Sequence, residues 1–476
     1  MRIVGNNPQL SRQTQATASG AITGGLPVVV NTDGTVTQIS ASDGVVGTAV
    51  VFNNNESIYI DSTFDSNSNR IVVAYRDSIN GDNGYAVVGS VDSSDNSISF
   101  GTPVVYNSGS SSTSYNAIAF DSNSNKVVIS YQDGGNSSYG TAIVGTVDPS
   151  DNSISFGSEA VFESASTRYF TSTFDSNSNK VVIAYDDQGN SNYGTSVVAT
   201  VSGTSVSFGT PVVFNSGGTL RPRITFDSSN NKVVIAYRDN GNSSHGTAIV
   251  GTVSGTSISF GSEVVFEAAS TNYPAIAFDS NSNKVVITYQ DQGNSSYGTA
   301  IVGTVSGTSI SFGTAVVHRS ANINEQSANF DTSKNVVVLA YTDTGSSGTA
   351  NKIMISDGTV SGTSISFSSA IAGSSGQTRS TRGVSFDSNV NRTVISYTHE
   401  GNSDYATGIV YAAGTPTNIT SENFIGFAQD TVATGQPVTI NTKGAIADNM
   451  PQLVSSSSTV GTEVVFESAT TPHKGI

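Results

Sequence analysis

Carboxylates and amides recur at fixed spacing along this chain. Asp121, Asn123 and Asn125 open one such set, an Asp-x-Asn-x-Asn pattern that returns through the sequence. Alternating oxygen side chains are the opening of a calcium loop, but the sixth-position glycine and the downstream glutamate are missing. The pattern therefore reads as a hairpin turn whose Asp and Asn side chains bond their own backbone, and no metal site is assigned. A second set is Tyr-x-Asp, at Tyr131/Asp133 and again at Asp187, Asp239, Asp291 and Asp343. Repeated carboxylates raise glycosidase chemistry, which needs two carboxyls in different environments. These aspartates recur in equivalent ones, so each reads as a loop-fixing acceptor. His399-Glu400 stands in the seventh copy and reads as exposed loop. A Ser-His-Asp set, a phosphate loop and a histidine metal pair are all missing from the sequence, and no cofactor is implied. The chain reads as a non-enzyme.

The elements that carry these sets are copies of one another. Phe64, Phe120, Phe174, Phe226, Phe278, Phe330 and Phe386 are each followed by Asp, and eleven positions later by Tyr. The steps between them are 56, 54, 52, 52, 52 and 56 residues, a period that marks a repeat architecture. Within repeat four, Arg223–Phe226, Lys232–Tyr237, Gly246–Val253 and Ile258–Phe266 read as four strands, with Gly261 a bend. Four antiparallel strands per copy, seven times, predicts an all-β chain built as a seven-bladed β-propeller. Residues 44–415 form it. Residues 1–43 and 416–476 are predicted to fold together as a small β domain. Thr434-Gly-Gln-Pro-Val-Thr-Ile-Asn-Thr near the end parallels Thr23-Gly-Gly-Leu-Pro-Val-Val-Val-Asn-Thr near the start.

The strands are near copies, but the segments joining one blade's fourth strand to the next blade's first are not. They carry Tyr59, Tyr115, Arg168, Tyr169, Arg221, Arg223, Tyr273, Arg379 and Arg382. Aromatics and arginines on loops held by a rigid scaffold make a recognition surface, so these nine are the candidate binding residues.

Blade seven supplies only three strands, and an open edge would expose unpaired backbone. Two segments match the missing strand, residues 45–54 and residues 460–468. The first ends twelve residues before Phe64, in register to enter blade one, and is predicted to close the ring.

The formal net charge of −16 without a basic block argues against nucleic-acid binding. With no cysteine, stability comes without disulfides. No run reaches transmembrane length, and the polar start lacks a signal-peptide core. Surface-type composition without an export signal fits release by lysis, as for a virion component, or a non-classical secretion route.

Tyr139-Gly-Thr-Ala-Ile-Val-Gly-Thr-Val147 and Val206-Ser-Phe-Gly-Thr-Pro-Val-Val-Phe214 resemble propeller repeats of structural proteins from marine bacteriophages. The segment from Phe424-Ile-Gly-Phe-Ala through Gly-Gln-Pro-Val-Thr-Ile440 is similar to a module of phage tail-fibre and appendage proteins. The resemblance implies a virion structural protein, tail-fibre-like or decorating, working in host attachment within a homo-oligomer or larger assembly. Its implied partners are other virion proteins and a host cell-surface glycan. The chain lacks a collagen-like or coiled-coil shaft, which favours a compact appendage. The competing expectation is a secreted bacterial carbohydrate-binding or cell-surface filament propeller.

Overall fold

The computed structural model describes residues 13–22, 24, 27–31, 33–38, 43–108, 112–345, 351–414, 424–428, 431–441, 452–455 and 464–467. They divide into two compact units, one from Asp43 to Gly414 and one from the two chain ends. No helix among the described residues is long and apolar enough to cross a membrane.

The larger unit is a β-propeller. Repeat three shows how one copy is built. Ala160–Asp175, Lys180–Asp187 and Tyr193–Ser202 pair antiparallel in sequence order. Tyr193–Ser202 then pairs on its far side with Ser205–Phe208 and with the start of Val212–Asp227. The second strand is apolar on consecutive residues because both of its faces are covered. Val181, Val182, Ile183, Ala184 and Tyr185 are all fully buried.

The hairpin turn after each Phe-Asp follows from its side chains. Asp175 Oδ1 accepts from the backbone N–H of Asn177 (2.9 Å) and Ser178 (3.0 Å). Asn179 closes the turn at a φ of 54°, a left-handed conformation that asparagine tolerates. The same pair of backbone bonds forms at Asp65, Asp121, Asp227, Asp279, Asp331 and Asp387. All seven aspartates are buried.

The first strands of all seven repeats line one central channel of about 570 Å³. Neighbouring inner strands are tied by side chains, as where Asn116 Nδ2 donates to the Tyr59 carbonyl (3.1 Å). Ser62 and Ser385 share a 2.8 Å hydroxyl hydrogen bond, which joins repeat one to repeat seven.

The seam uses the N-terminal segment. Val45–Val46 and Val50–Asp65 pair with Tyr405–Ala412, through Tyr411↔Val46, Gly408↔Val50 and Thr407↔Val51. Packing across the seam repeats packing elsewhere in the ring. A Cβ on Gly157 would lie 1.9 Å from the Thr204 carbonyl oxygen of the next repeat, and one on Gly47 would lie 1.8 Å from that of Asn96. Only glycine permits that approach. Repeats one and two carry a longer turn here, and the residue facing it from the preceding repeat is arginine instead of the usual lysine. Arg70 Nη2 donates to the Pro149 carbonyl (2.9 Å), and Arg392 Nη2 donates to that of Ser93 (3.0 Å).

The smaller unit is a five-stranded sheet that interleaves both ends of the chain, in the order Gln13–Thr17, Pro437–Asn441, Phe424–Ala428, Pro27–Val30, Val36–Gln38. Ala18, Ile22, Val28, Val36, Val438 and Ile440 form its core. The C-terminal copy of the fourth-strand sequence contributes Val464–Glu467, which pairs with Gln452–Ser455. Residues 1–12 of the N-terminal arm and residues 460–463 and 468 of that copy lie outside the described residues.

Candidate functional site

Most segments expected to be loops between blades are strand. At five junctions the outer strand of one repeat runs without interruption into the inner strand of the next, as in the sixteen-residue strands Val50–Asp65, Ala160–Asp175 and Val212–Asp227; the strand is broken between repeats one and two and between repeats six and seven. Their Ser-, Asn- and Gly-rich composition suggests a turn, but ladder hydrogen bonds to both neighbours keep them extended. This corrects the placement of the candidate residues. They lie on the inner strands, at or just before the stretches that line the channel.

Five of them owe their position to a β-bulge. The inner strand places two residues opposite one Tyr of the second strand, with the register shifting between Ile58 and Asp61, Ser114 and Ala117, Arg168 and Thr171, Leu220 and Arg223, and Asn272 and Ala275. The extra residue is Tyr59, Tyr115, Tyr169, Arg221 or Tyr273, and in repeat six Glu325. All six have positive φ: 53°, 56°, 55°, 52°, 46° and 30°. A bulky side chain in that region costs about 1–3 kcal/mol, and such strain collects at functional sites. The bulge also explains Pro222 and Pro274, which follow it where no ladder N–H is needed.

The bulge residues touch one another around the ring. The ring centroids of Tyr59 and Tyr115 are 4.8 Å apart, and those of Tyr115 and Tyr169 are also 4.8 Å apart. The Arg221 guanidinium carbon lies 5.7 Å from the Tyr169 ring centre and 4.0 Å from that of Tyr273. Arg221 Nη1 also pairs with Glu325 Oε1 at 3.1 Å. The result is a half-buried collar of four tyrosines, one arginine and one glutamate at one end of the channel. Burial and then the neighbouring tyrosines push the Tyr115 hydroxyl up to about 12, so it stays protonated and able to donate near neutral pH.

The remaining candidates differ in role. Arg168 is committed beneath the collar: its Nε meets Asp186 Oδ2 at 2.7 Å, and its guanidinium lies over Tyr169 at 5.2 Å. Arg223 lines the channel itself, where Nη1 donates to the Pro222 carbonyl (3.2 Å). Arg379 and Arg382 fall on strand Thr378–Asp387, and their side chains lie outside the described residues. Two collar-associated residues were not among the nine, although Glu325 stands on the same variable segments. Glu325 closes the Arg221 pair. Arg76 lies over Tyr59 at 5.4 Å and pairs with Asp82 at 3.1 Å. Arg76 belongs to the position after the repeat tyrosine, occupied elsewhere by Gln132, Asp186, Arg238, Gln290, Thr342 and Thr398. That variation among near-copies was the available signal.

The Tyr-x-Asp carboxylates fix loops. Asp239 Oδ1 accepts from Gly241 N (2.9 Å) and Asn242 N (3.2 Å), and Asp133, Asp187, Asp291 and Asp343 accept comparable backbone bonds. His399 makes no such cap; its half-buried ring packs 5.8 Å from Tyr397 and so is not a free loop side chain. Among the described residues no group of three or more metal-ligating side chains assembles.

What the collar offers chemically is a set of aromatic edges and faces with hydroxyl donors, held rigidly by paired strands. Such a surface holds a ligand by stacking and by edge hydrogen bonds.

No protein-family model matches the chain, and no curated protein matches it. Among solved structures the chain is similar to the BP39L lectin from Burkholderia pseudomallei, at 9% identity over 79% of this chain and 99% of that one, with a TM-score of 0.53. It also matches a mutant of the NanB sialidase from Streptococcus pneumoniae, at 12% identity over 76% of this chain and 70% of that one, with a TM-score of 0.45. At such identities the lectin likeness is one of propeller fold alone.

Proposed function

We propose that the protein is a non-enzymatic recognition propeller, carried on a virion as a tail-fibre-like or decorating appendage, whose collar engages a carbohydrate of the host cell surface. The observation that supports this reading most is the collar. Six equivalent positions hold strained backbone, and four of them spend that strain on tyrosine, a residue no turn requires there. The second and third strands are near-identical among repeats, while the inner strands that carry the collar vary, and Arg221 and Glu325 replace tyrosine at two of its six positions, which suits a surface selected for a ligand. The carboxylates that could have suggested hydrolysis are occupied with backbone amides, in equivalent settings from repeat to repeat. The resemblance of the repeats and of the C-terminal module to phage appendage proteins gives the setting, with other virion proteins as partners in a larger assembly.

Immunogold labelling of purified particles tests the setting, and competition of particle adsorption by the purified protein tests the role. Label on particles together with blocked adsorption is the expected result. Label on bacterial surfaces with no particle staining would favour the secreted carbohydrate-binding propeller instead.

A further inference from the structure

The seam of the ring carries three residues that break the repeat pattern together. In six repeats the third strand has Val88, Val144, Val198, Val250, Val302 or Val410 opposite a buried second-strand valine; repeat six has Asp357 there. The next third-strand position is glycine or alanine in the first six repeats, as at Gly145 and Ala199, but Tyr411 in the seventh. Opposite, the closing strand has Gly44 two residues before Val46, where the other outer strands have isoleucine or valine two residues before phenylalanine.

The exchange is steric and then polar. Elsewhere the third-strand glycine admits the outer strand's large side chains: a Cβ on Gly145 would lie 2.8 Å from Ile154 and 3.0 Å from Phe156. At the seam the large ring comes from the third strand, and the room for it comes from Gly44, whose Cβ would lie 2.0 Å from the Tyr411 hydroxyl oxygen. Tyr411 is fully buried, so its hydroxyl needs a partner within the protein. Asp357 provides one: the Tyr411 hydroxyl donates to Asp357 Oδ2 at 2.8 Å. The same oxygen accepts from the backbone N–H of Gly414 at 2.8 Å, the last residue of the propeller unit. Repeats six and seven therefore meet at one carboxylate, and the closing strand packs through Gly44 on the hydroxyl bound to it.

We propose that Gly44, Tyr411 and Asp357 form a latch that locks the propeller at the one place where its ring is joined by segments distant in sequence, and fixes where the chain leaves it. The latch makes closure specific. Another fourth-strand copy, with isoleucine where Gly44 stands, cannot enter beside Tyr411.

Hydrogen exchange resolved by peptide tests this on the full chain, comparing residues 43–47 and 410–414 with residues 245–254 on the far side of the ring. Tyr411→Phe keeps the ring volume and removes only the hydroxyl. It should speed seam exchange about tenfold and leave the far peptide unchanged, because Asp357 is left buried with one donor fewer. Asp357→Val should also loosen the seam, and adding Tyr411→Phe to it should change seam exchange by no more than about twofold, since the partners act as a pair. Unchanged seam exchange in both single variants, additive effects in the double variant, or equal loosening around the whole ring would each overturn the latch.

Discussion

Asp186→Gln should make the protein more stable above pH 6. Asp186 follows the buried Tyr185, and its side chain has no exposed surface. One carboxylate oxygen pairs with Arg168, and the other is buried without a partner. Burial pushes the carboxyl up to about 6 from an ordinary 3.8; Arg168 opposes the rise, and the adjacent Asp187 adds to it. Because the folded value is the higher one, the folded protein keeps this proton longer than the unfolded chain does. Stability from this group is therefore greatest below pH 4, falls between about pH 4 and 6, and stays low above. At 1.36 kcal/mol per pH unit, the ionised carboxylate costs roughly 3 kcal/mol at neutral pH, even with its arginine in place. Glutamine is already used at this position. Gln132 and Gln290 donate through Nε2 to the carbonyls of Thr167 and Ile323 in the following repeats, and the equivalent acceptor for residue 186 is Thr219. Allowing for the lost ion pair, Asp186→Gln should gain roughly 1–3 kcal/mol at pH 7.5 and close to nothing at pH 4. Urea unfolding at pH 4, 5, 6 and 7.5 measures both. A variant less stable than the parent at pH 7.5, or one whose difference from the parent does not change between pH 4 and 6, would refute the reasoning.

Three further outcomes follow, two from intruders in the repeat pattern and one from the pattern itself. His318 occupies the place of Phe52, Phe162, Phe214 and Phe266, packing 5.1 Å from Tyr341 and 5.3 Å from Phe367. Burial lowers its imidazole to about 3, so the unfolded chain takes up the proton first and stability falls as pH drops below about 6.5. His318→Phe should recover about 2 kcal/mol at pH 5, read as a smaller melting-temperature loss between pH 7 and 5. Glu163 stands where Asn215 donates to the loop aspartate of its own repeat, and burial and then the Asp187 charge raise its carboxyl. Its penalty appears as pH rises past the ordinary value near 4.5, so Glu163→Gln should raise the melting temperature at pH 7 and leave it unchanged at pH 4. Asp175→Ala strips two backbone amides of their acceptor and should cost about 1–3 kcal/mol in urea unfolding, while a chelator should leave the parent's midpoint where it was.

The propeller was legible because its signals are local and repeated. Runs such as Val181–Tyr185 cannot be anything but doubly covered strand when they return at a fixed period. The closing register was legible for the same reason, since Val50 to Phe52 precede Phe64 as Val212 to Phe214 precede Phe226. The collar was legible in its residues but not in its form. Tyr169 and Arg221 stand out as variable, yet the sequence around them reads as loop because Ser, Gly and Asn dominate it. Only pairing to two neighbouring strands makes it extended. The positive φ values at tyrosine were not readable, because composition places glycine or asparagine in that region. The role of Arg168 was hidden for a different reason: its partner Asp186 is eighteen residues away and meets it only once the strands are in register.

The collar is the centre of the account, and binding by a collar variant tests it most directly. Tyr115→Ala with Tyr169→Ala removes two adjoining rings from an end of the channel where no backbone bond depends on them. Binding of the purified protein to host cells and to an array of cell-surface glycans should fall at least about tenfold, the loss of about 1.4 kcal/mol or more expected when two stacked aromatic contacts are removed. The melting temperature should hold or rise, since alanine gives up favourable ring contacts but also allows the bulge to relax. Undiminished binding by a folded variant would contradict the assignment of the collar as the recognition surface.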